Sequence, residues 1–273
     1  MNKICLALIH NHDRERYESI KTELQGLKEW LSNKRFEVQL IEIAYQPAII
    51  PHSRSMAFLR DSIYHVIGFN WATYRFLKPS FLFYVATFLR KVCKSGRYAA
   101  GGAWRRSSAI EVAVTDKHIR AWAAFLDIDS DYLVVFEDDA VFTIDSKQLL
   151  SDLLEQLSQG QSGRNIYVDL AGGCPLDSLK IDLLQSDQDR SFRHYQKPVT
   201  NTACGYLMSN SLVVQFHKVL TRKPWLRLIG VDWMMNALFV NLERDGADCA
   251  CMHAEPTFFK HGSTTGEYVP WAR

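Results

Sequence analysis

The segment Tyr132–Phe142 constrains this chain most, because it joins an apolar, strand-like run to three consecutive carboxylates. Its first five residues are aromatic, aliphatic or β-branched, which is typical of a buried strand. Glu137, Asp138 and Asp139 follow directly, and an apolar run resumes at Ala140. Carboxylates beside a buried strand are costly unless a positive partner compensates them. The pattern therefore predicts a strand that delivers acids to the rim of a sheet, where they meet a cation.

Strand alternation predicts how the three acids divide between the faces of the sheet. In a continuous strand Glu137 and Asp139 share one side, and Asp138 points to the other. Two carboxylates on one face offer the oxygen ligands that Mg²⁺ or Mn²⁺ prefers. A solvated strand end is the alternative, and the apolar residues on both sides make it the less favoured one.

Charge and cysteine content restrict the class of protein. The 273 residues suffice for one large α/β domain or two small ones. Lys plus Arg total 32 and Asp plus Glu total 30, so the net charge of +2 indicates no nucleic-acid partner. The six cysteines include no C-x-x-C pair, which favours reduced, buried thiols and a cytoplasmic location over a disulfide framework or a zinc site.

Strand and helix patterns alternate along the chain, which is typical of an α/β fold with a mainly parallel sheet. The first helix begins after Asp13, a typical N-cap residue. The predicted elements are a strand over 4–9, a helix through residue 31, a strand over 36–44, a helix over 107–126, a strand from 132, a helix over 146–157, a strand over 165–170, helices over 211–220 and 230–242, and a strand over 249–253.

The polar loop after the first strand is a predicted nucleotide-binding element, since open α/β sheets bind nucleotides at the carboxyl ends of their strands. It contains Asn11, and Arg14 and Arg16 follow at the start of the helix. The two arginines could contact a diphosphate or could simply be solvated.

Residues 53–106 are rich in aromatic and basic side chains. As a helix, the uncharged run Pro79–Leu89 would span only about 16 Å, whereas the hydrocarbon core of a bilayer is about 30 Å thick. Flanked by Lys78, Arg90 and Lys91, it could lie on an anionic membrane surface. It could equally be an internal helix packed over the sheet.

An opening nucleotide-type loop and a mid-chain acidic strand end together predict a nucleotide diphosphate held through a metal. Glycosyl transfer from a sugar nucleotide needs this arrangement and a base for the acceptor hydroxyl. Phosphodiester hydrolysis could use the same carboxylates, but no second metal cluster of His and Asp is evident in the sequence.

Four segments resemble, in order, motifs of glycosyltransferase family 25, which includes bacterial lipooligosaccharide β-galactosyltransferases and collagen-modifying relatives. Val135–Ala140 resembles the E-D-D motif, and Lys117–Trp122 resembles the S-H-x-x-x-W helix before it. Thr202–Ser209 resembles T-x-x-G-Y-I-I-S, and Val231–Met235 resembles V-D-x-x-M. Three departures occur: a lysine at the position of the family's serine, a histidine near the end where the family tends to carry glutamine, and a middle segment that matches nothing in the family.

The resemblance implies a single GT-A, Rossmann-like domain over residues 1–273, with the segment 53–106 as a helical insertion. It implies an inverting transfer from a UDP-sugar, of galactose type, with Mn²⁺ or Mg²⁺ as cofactor. The implied acceptor is a glycan or glycolipid of lipopolysaccharide or surface polysaccharide, reached from the inner face of the cytoplasmic membrane. The alternatives are a catalytically silent carbohydrate- or partner-binding module, and a metal-dependent nucleotidyltransferase or phosphodiesterase.

Site residues follow from the resemblance by position. Asp232 is the implied catalytic base, although it could instead cap its helix, whose positive end would lower its basicity. His118, on the apolar face of its helix, is either a core histidine or a direct participant. His261 could be solvated rather than bound to metal. The implied metal ligands are Asp139, Glu137 and His261, and the implied donor-binding residues are Asn11, Arg14, Glu137, Asp138, Thr202 and Gly205.

Overall fold

A computed structural model describes residues 2–11, 13–46, 103–160, 163–179, 183–185 and 192–268. The helices within these residues are α1 (Arg14–Asn33), α2 (Ala103–Leu126), α3 (Ser146–Gln159), α4 (Asn210–Arg222), α5 (Val231–Arg244) and α6 (Gly262–Thr265). The strands are β1 (Lys3–His10), β2 (Glu37–Ala44), β3 (Tyr132–Glu137), β4 (Ala140–Phe142), β5 (Ile166–Asp169), β6 (Leu183–Gln185), β7 (Phe192–Tyr195), β8 (Gly205–Ser209), β9 (Ala250–Ala254) and β10 (Phe259–His261).

Eight strands form one mixed sheet in the order β2-β1-β3-β8-β5-β9-β7-β6. β1 runs parallel to β2 and β3, and β5 runs parallel to β9. β8 is antiparallel to β3 and β5, and β7 is antiparallel to β9 and β6. All strands of this sheet except β7 and β8 therefore point the same way. The predicted α/β class, with a mixed, mainly parallel sheet between helices, is confirmed.

Alternation along β1 explains why it is buried on both sides. Helices α2, α4 and α5 pack on one face of the sheet, and α1 and α3 pack on the other. Full burial of a large aliphatic side chain contributes about 1.5–3 kcal/mol, so this two-sided strand is a major part of the core. Cys5, Ala7 and Ile9 belong to the first core, and Ile4, Leu6 and Leu8 belong to the second.

Four strands of the structure were not predicted from the sequence: β6, β7, β8 and β10. They have three to five residues, and so short a run carries too little periodicity. The aromatic-basic segment 53–106 lies outside the described residues up to residue 102, and 103–106 belong to the first turn of α2. No described helix combines the length and the apolar character that crossing a bilayer requires.

Candidate functional site

The candidate site lies at one edge of the sheet, where the carboxyl ends of the parallel strands meet. Asn11 follows β1, Glu137 ends β3, and Asp169 ends β5. Cys204 precedes the antiparallel β8 and therefore reaches the same edge, with its carbonyl oxygen 2.8 Å from the Glu137 amide nitrogen. Ligands of open α/β sheets bind outside this edge.

The three consecutive acids lie in three different environments. β3 ends at Glu137, the next two acids form a turn, and β4 begins at Ala140. The predicted strand alternation, with Glu137 and Asp139 on one face, is therefore wrong. Glu137 Oε1 lies 2.9 Å from His118 Nε2. Asp138 Oδ2 accepts a hydrogen bond of 2.8 Å from the backbone N–H of Asn11.

Asp139 is held by side chains from the residue before β8, from β10 and from α6. Its Oδ2 lies 3.2 Å from His261 Nε2 and accepts a hydrogen bond from the Ser263 hydroxyl. The Cys204 thiol donates to Oδ1 over 3.4 Å. Burial alone would raise the pKa of Asp139, but the hydrogen bond and charge of His261 hold it below its ordinary value.

Strand pairing brings His261 to the acids. β10 pairs antiparallel with β4, with His261 opposite Ala140, and the Gly262 amide donates to the Asp139 carbonyl over 2.8 Å. A Cβ atom on Gly262 would lie 2.9 Å from that carbonyl oxygen and 2.5 Å from the Tyr268 ring. Only glycine therefore fits this approach without displacing its neighbours.

Asp139, Cys204 and His261 together offer a possible set of metal ligands. Ligand atoms of Asp139, Cys204 and His261 all lie within 4.8 Å of one another, whereas Glu137 is not part of this group. His261 Nδ1 is buried and has no hydrogen-bond partner in the described part of the chain. Burial raises the pKa of Cys204 well above its ordinary value, so its thiol is protonated in the metal-free chain. A carboxylate and an imidazole fit Mn²⁺ better than Mg²⁺, which prefers oxygen ligands.

Asp232 is the second residue of α5, and the N-cap of this helix is Gly230, so the capping alternative is wrong. Its Oδ1 is buried without a hydrogen-bond partner among the described residues. Burial and the charge of Glu137 raise the pKa of Asp232 to about 7, and His261 opposes them. Asp232 can therefore exchange a proton near neutral pH, as a general base must. Glu137, Asp138, Asp139 and Asp232 are together called the acidic site below.

His118 positions Glu137 through a buried chain of hydrogen bonds. Trp122 Nε1 donates to the Tyr206 hydroxyl over 2.9 Å, and that hydroxyl lies 2.8 Å from His118 Nδ1. Because the indole can only donate, the tyrosine proton is assigned to the bond with Nδ1. His118 Nε2 then carries the hydrogen that Glu137 accepts. The histidine is a buried positioning residue for Glu137.

This chain of hydrogen bonds gives a stability prediction. Tyr206→Phe is expected to lower the free energy of unfolding by about 1–3 kcal/mol, because it leaves buried groups of Trp122 and His118 unpaired. Urea denaturation measures this loss. Tyr195→Phe is the control, since the Tyr195 hydroxyl lies 3.5 Å from the Leu176 carbonyl oxygen and contributes little. Equal losses in the two variants would contradict the assigned chain.

The other predicted donor-binding residues lie in different surroundings. The Asn11 amide binds Asp138, as described above. Arg14 is the first residue of α1 and its side chain is exposed; among the described residues no hydrogen bond or ion pair joins it to the acids, and its predicted contact with the donor stays a prediction. Thr202 has a positive φ of 78° and a buried Oγ1 that lacks a hydrogen-bond partner within the described ranges. Gly205 opens β8, where a Cβ atom would lie 3.2 Å from the Ala171 side chain.

Sequence reasoning missed three residues near the acids. Lys117 is buried, and it shares a helix face with Val114 and Ala121, a spacing that could have indicated it. Asp169 ends β5, and burial raises its pKa to about 7 although the Gly172 and Asn201 amides donate to it. Cys204 carried no local signal, since only the folded chain brings it to Asp139.

No protein-family model matches this chain, and no curated protein is significantly similar to it. The resemblance to glycosyltransferase family 25 therefore depends on its four sequence segments. Each of these segments places at least one side chain at the acidic site or in the hydrogen bonds that support it: His118, Glu137, Cys204 and Asp232.

Proposed function

We propose that this chain is a metal-dependent inverting glycosyltransferase with a GT-A fold. It moves a sugar, of galactose type, from a UDP-sugar to a saccharide acceptor of lipopolysaccharide or surface polysaccharide. One observation carries the proposal: Glu137, Asp138 and Asp139 lie with separate partners at the carboxyl edge of an α/β sheet, and a fourth carboxylate, Asp232 of α5, has a buried oxygen with no hydrogen-bond partner among the described residues.

Asp139 and His261 are the proposed metal ligands, and Mn²⁺ is the cofactor that best suits them. When bound, the metal supplies positive charge to the diphosphate leaving group. Glu137, predicted as a third ligand, is proposed instead to contact the donor, because His118 holds its carboxylate outside the ligand group.

Asp232 is proposed to take the proton of the acceptor hydroxyl. The acceptor oxygen then forms a bond to the anomeric carbon, and the bond from that carbon to the diphosphate oxygen breaks with its electron pair on the diphosphate. The proton ends on Asp232, whose pKa of about 7 matches this task. Attack opposite the leaving group gives inversion.

Asp138 and Thr202 are proposed to shape the donor pocket. Asp138 holds the loop after β1 by accepting from the Asn11 amide, so it fixes the donor loop rather than a metal. Thr202 Oγ1 is buried without a described partner and is a proposed contact for the donor.

The acceptor class, the single-domain organisation over 1–273, and the location on the inner face of the cytoplasmic membrane stay predictions. They depend on the resemblance and on the aromatic and basic composition of residues 53–106.

A thermal-shift screen of nucleotide sugars, with and without Mn²⁺, tests the proposed function. UDP-sugars are expected to raise the melting temperature by several degrees in the presence of Mn²⁺, because a ligand at 100 times its Kd stabilises the folded state by about 2.7 kcal/mol. Other nucleotide sugars and Mn²⁺ alone serve as controls.

Product analysis then separates the alternatives. Slow release of free sugar and UDP in water would support a transferase. A sugar 1-phosphate product would indicate a phosphodiesterase or nucleotidyltransferase, and binding without any turnover, even with a panel of saccharide acceptors, would indicate a silent module. Failure of every nucleotide sugar to bind would contradict the proposal.

A further inference from the structure

Lys117 is a buried cation that the proposed function has not used. Only 2% of its surface is exposed, and its ammonium group donates a hydrogen bond of 2.6 Å to Asn11 Oδ1. An ammonium group carries three N–H donors. In the described part of the chain, no carboxylate forms an ion pair with it, so its further donors lack acidic partners.

The charges around this lysine explain how a buried ammonium is tolerated. Burial lowers the pKa of Lys117, and the nearby positive charge of Arg120 lowers it further. The negative charges of Glu137, Asp138 and Asp139 act in the opposite direction. The ammonium group therefore lies within the field of the acidic site without being neutralised by direct contact with any one acid.

We propose that Lys117 binds the diphosphate of the nucleotide-sugar donor. This inference rests on the proposed function and names a residue that recognises its substrate. A diphosphate would be repelled by the four carboxylates, so the site needs cations of its own. Lysine suits this task as a compact charge whose N–H groups can turn toward phosphate oxygens. Its bond to Asn11 places it beside the loop after β1, where open α/β sheets bind nucleotides.

A structural role is the competing explanation, because Lys117 could merely tether Asn11. The two roles differ in the ligands that they affect. A tether would influence every ligand of the loop, whereas a phosphate-binding ammonium group would influence only ligands that carry phosphate.

Isothermal titration calorimetry of UDP, inorganic pyrophosphate and uridine, with Mn²⁺ and separately with EDTA, tests the inference. Lys117→Gln is expected to weaken the binding of UDP and pyrophosphate by about 10- to 100-fold, the range for loss of a charge-assisted hydrogen bond. The affinity for uridine should stay unchanged. Lys117→Arg keeps the charge and should retain most of the affinity. Lys218→Gln, at an exposed lysine of α4, is the matched control and should change nothing.

Asn11→Ala separates the tether from the phosphate contact. It should cost less diphosphate affinity than Lys117→Gln, and Lys117→Gln should still weaken pyrophosphate when Asn11 is alanine. Three outcomes would overturn the inference. Lys117→Gln could lose as much affinity for uridine as for UDP, the double variant could lose no more pyrophosphate affinity than Asn11→Ala, or the wild-type chain could fail to bind pyrophosphate.

The inference and the proposed function can fail separately. Lysine-dependent pyrophosphate binding without any sugar transfer would retain the anion site and reject the transferase. Sugar transfer by Lys117→Gln with wild-type UDP affinity would retain the transferase and reject the lysine contact.

Discussion

Asp139→Asn is expected to weaken Mn²⁺ binding by about 100-fold or more, since loss of a partner outside the ligand set already costs 10- to 100-fold. Mn²⁺-dependent UDP binding and sugar transfer should disappear with it. The reason is geometric: Asp139 alone of the three consecutive acids lies within 4.8 Å of the ligand atoms of both His261 and Cys204. The amide keeps the size of the side chain and one oxygen acceptor, so the chain should still fold.

Titration of free Mn²⁺ by electron paramagnetic resonance, with and without UDP, measures the effect. Asp138→Asn is the matched control, because Asp138 bonds to the Asn11 amide and an asparagine oxygen can accept that bond too. It should bind Mn²⁺ like the wild type even if it turns over slowly. Unchanged Mn²⁺ affinity in Asp139→Asn would remove this residue from the metal site.

The five long helices and five of the ten described strands could be predicted, because buried positions recur along them with a regular period. β1 alternates between two apolar cores, and the α2 face that carries His118 and Trp122 repeats at helical spacing. Both patterns are local, so they need no knowledge of what packs against them.

The turn within the acidic segment could not be predicted from the same kind of pattern. Continuous apolar and acidic letters suggested one strand from Tyr132 onward, but β4 pairs with β10, about 120 residues further along the chain. That pairing, with Gly262 against the Asp139 carbonyl, fixes where each acid points. The direction of the acids is therefore a tertiary property.

The residues of the site also divide into those that the sequence indicated and those that it did not. Asp139 stood out because acids beside apolar runs are costly without a partner, and Asp232 stood out because its segment resembles V-D-x-x-M. Cys204 and Lys117 resemble ordinary core and helix residues in the sequence, and only the approach of β8 and α2 to β3 gives them acidic neighbours. Sequence reasoning found the charges that cause the electrostatic cost and missed two of the groups that reduce it.

Asp232→Asn is expected to lower turnover by about 10²-fold or more while UDP affinity stays close to that of the wild type. The variant keeps the shape of the side chain and removes its ability to take a proton. Asp245→Asn, the same substitution just beyond the other end of α5, is the control and should keep wild-type turnover. Steady-state kinetics and calorimetry with UDP separate the two effects.

The expected stability of Asp232→Asn separates loss of the base from loss of the fold as the cause of slow turnover. Because Gly230 is the N-cap, the charge at position 232 can stabilise α5 only through the helix dipole, which contributes about 0.3–1 kcal/mol. Loss of a buried carboxylate oxygen without a described partner offsets part of that cost. The raised pKa of Asp232 also means that its ionised form destabilises the fold. The free energy of unfolding should therefore not fall by more than about 1 kcal/mol, so unfolding cannot account for a large loss of turnover.

The pH dependence of turnover identifies the base independently. Asp232 accepts a proton only when ionised, and its pKa of about 7 lies well above that of an exposed aspartate because of burial and the charge of Glu137. Wild-type kcat should therefore rise with pH and level off above about 7. In Asp232→Asn this rise should vanish, because the titrating group is gone. A variant that kept both near-normal turnover and the same pH profile would show that Asp232 is not the base.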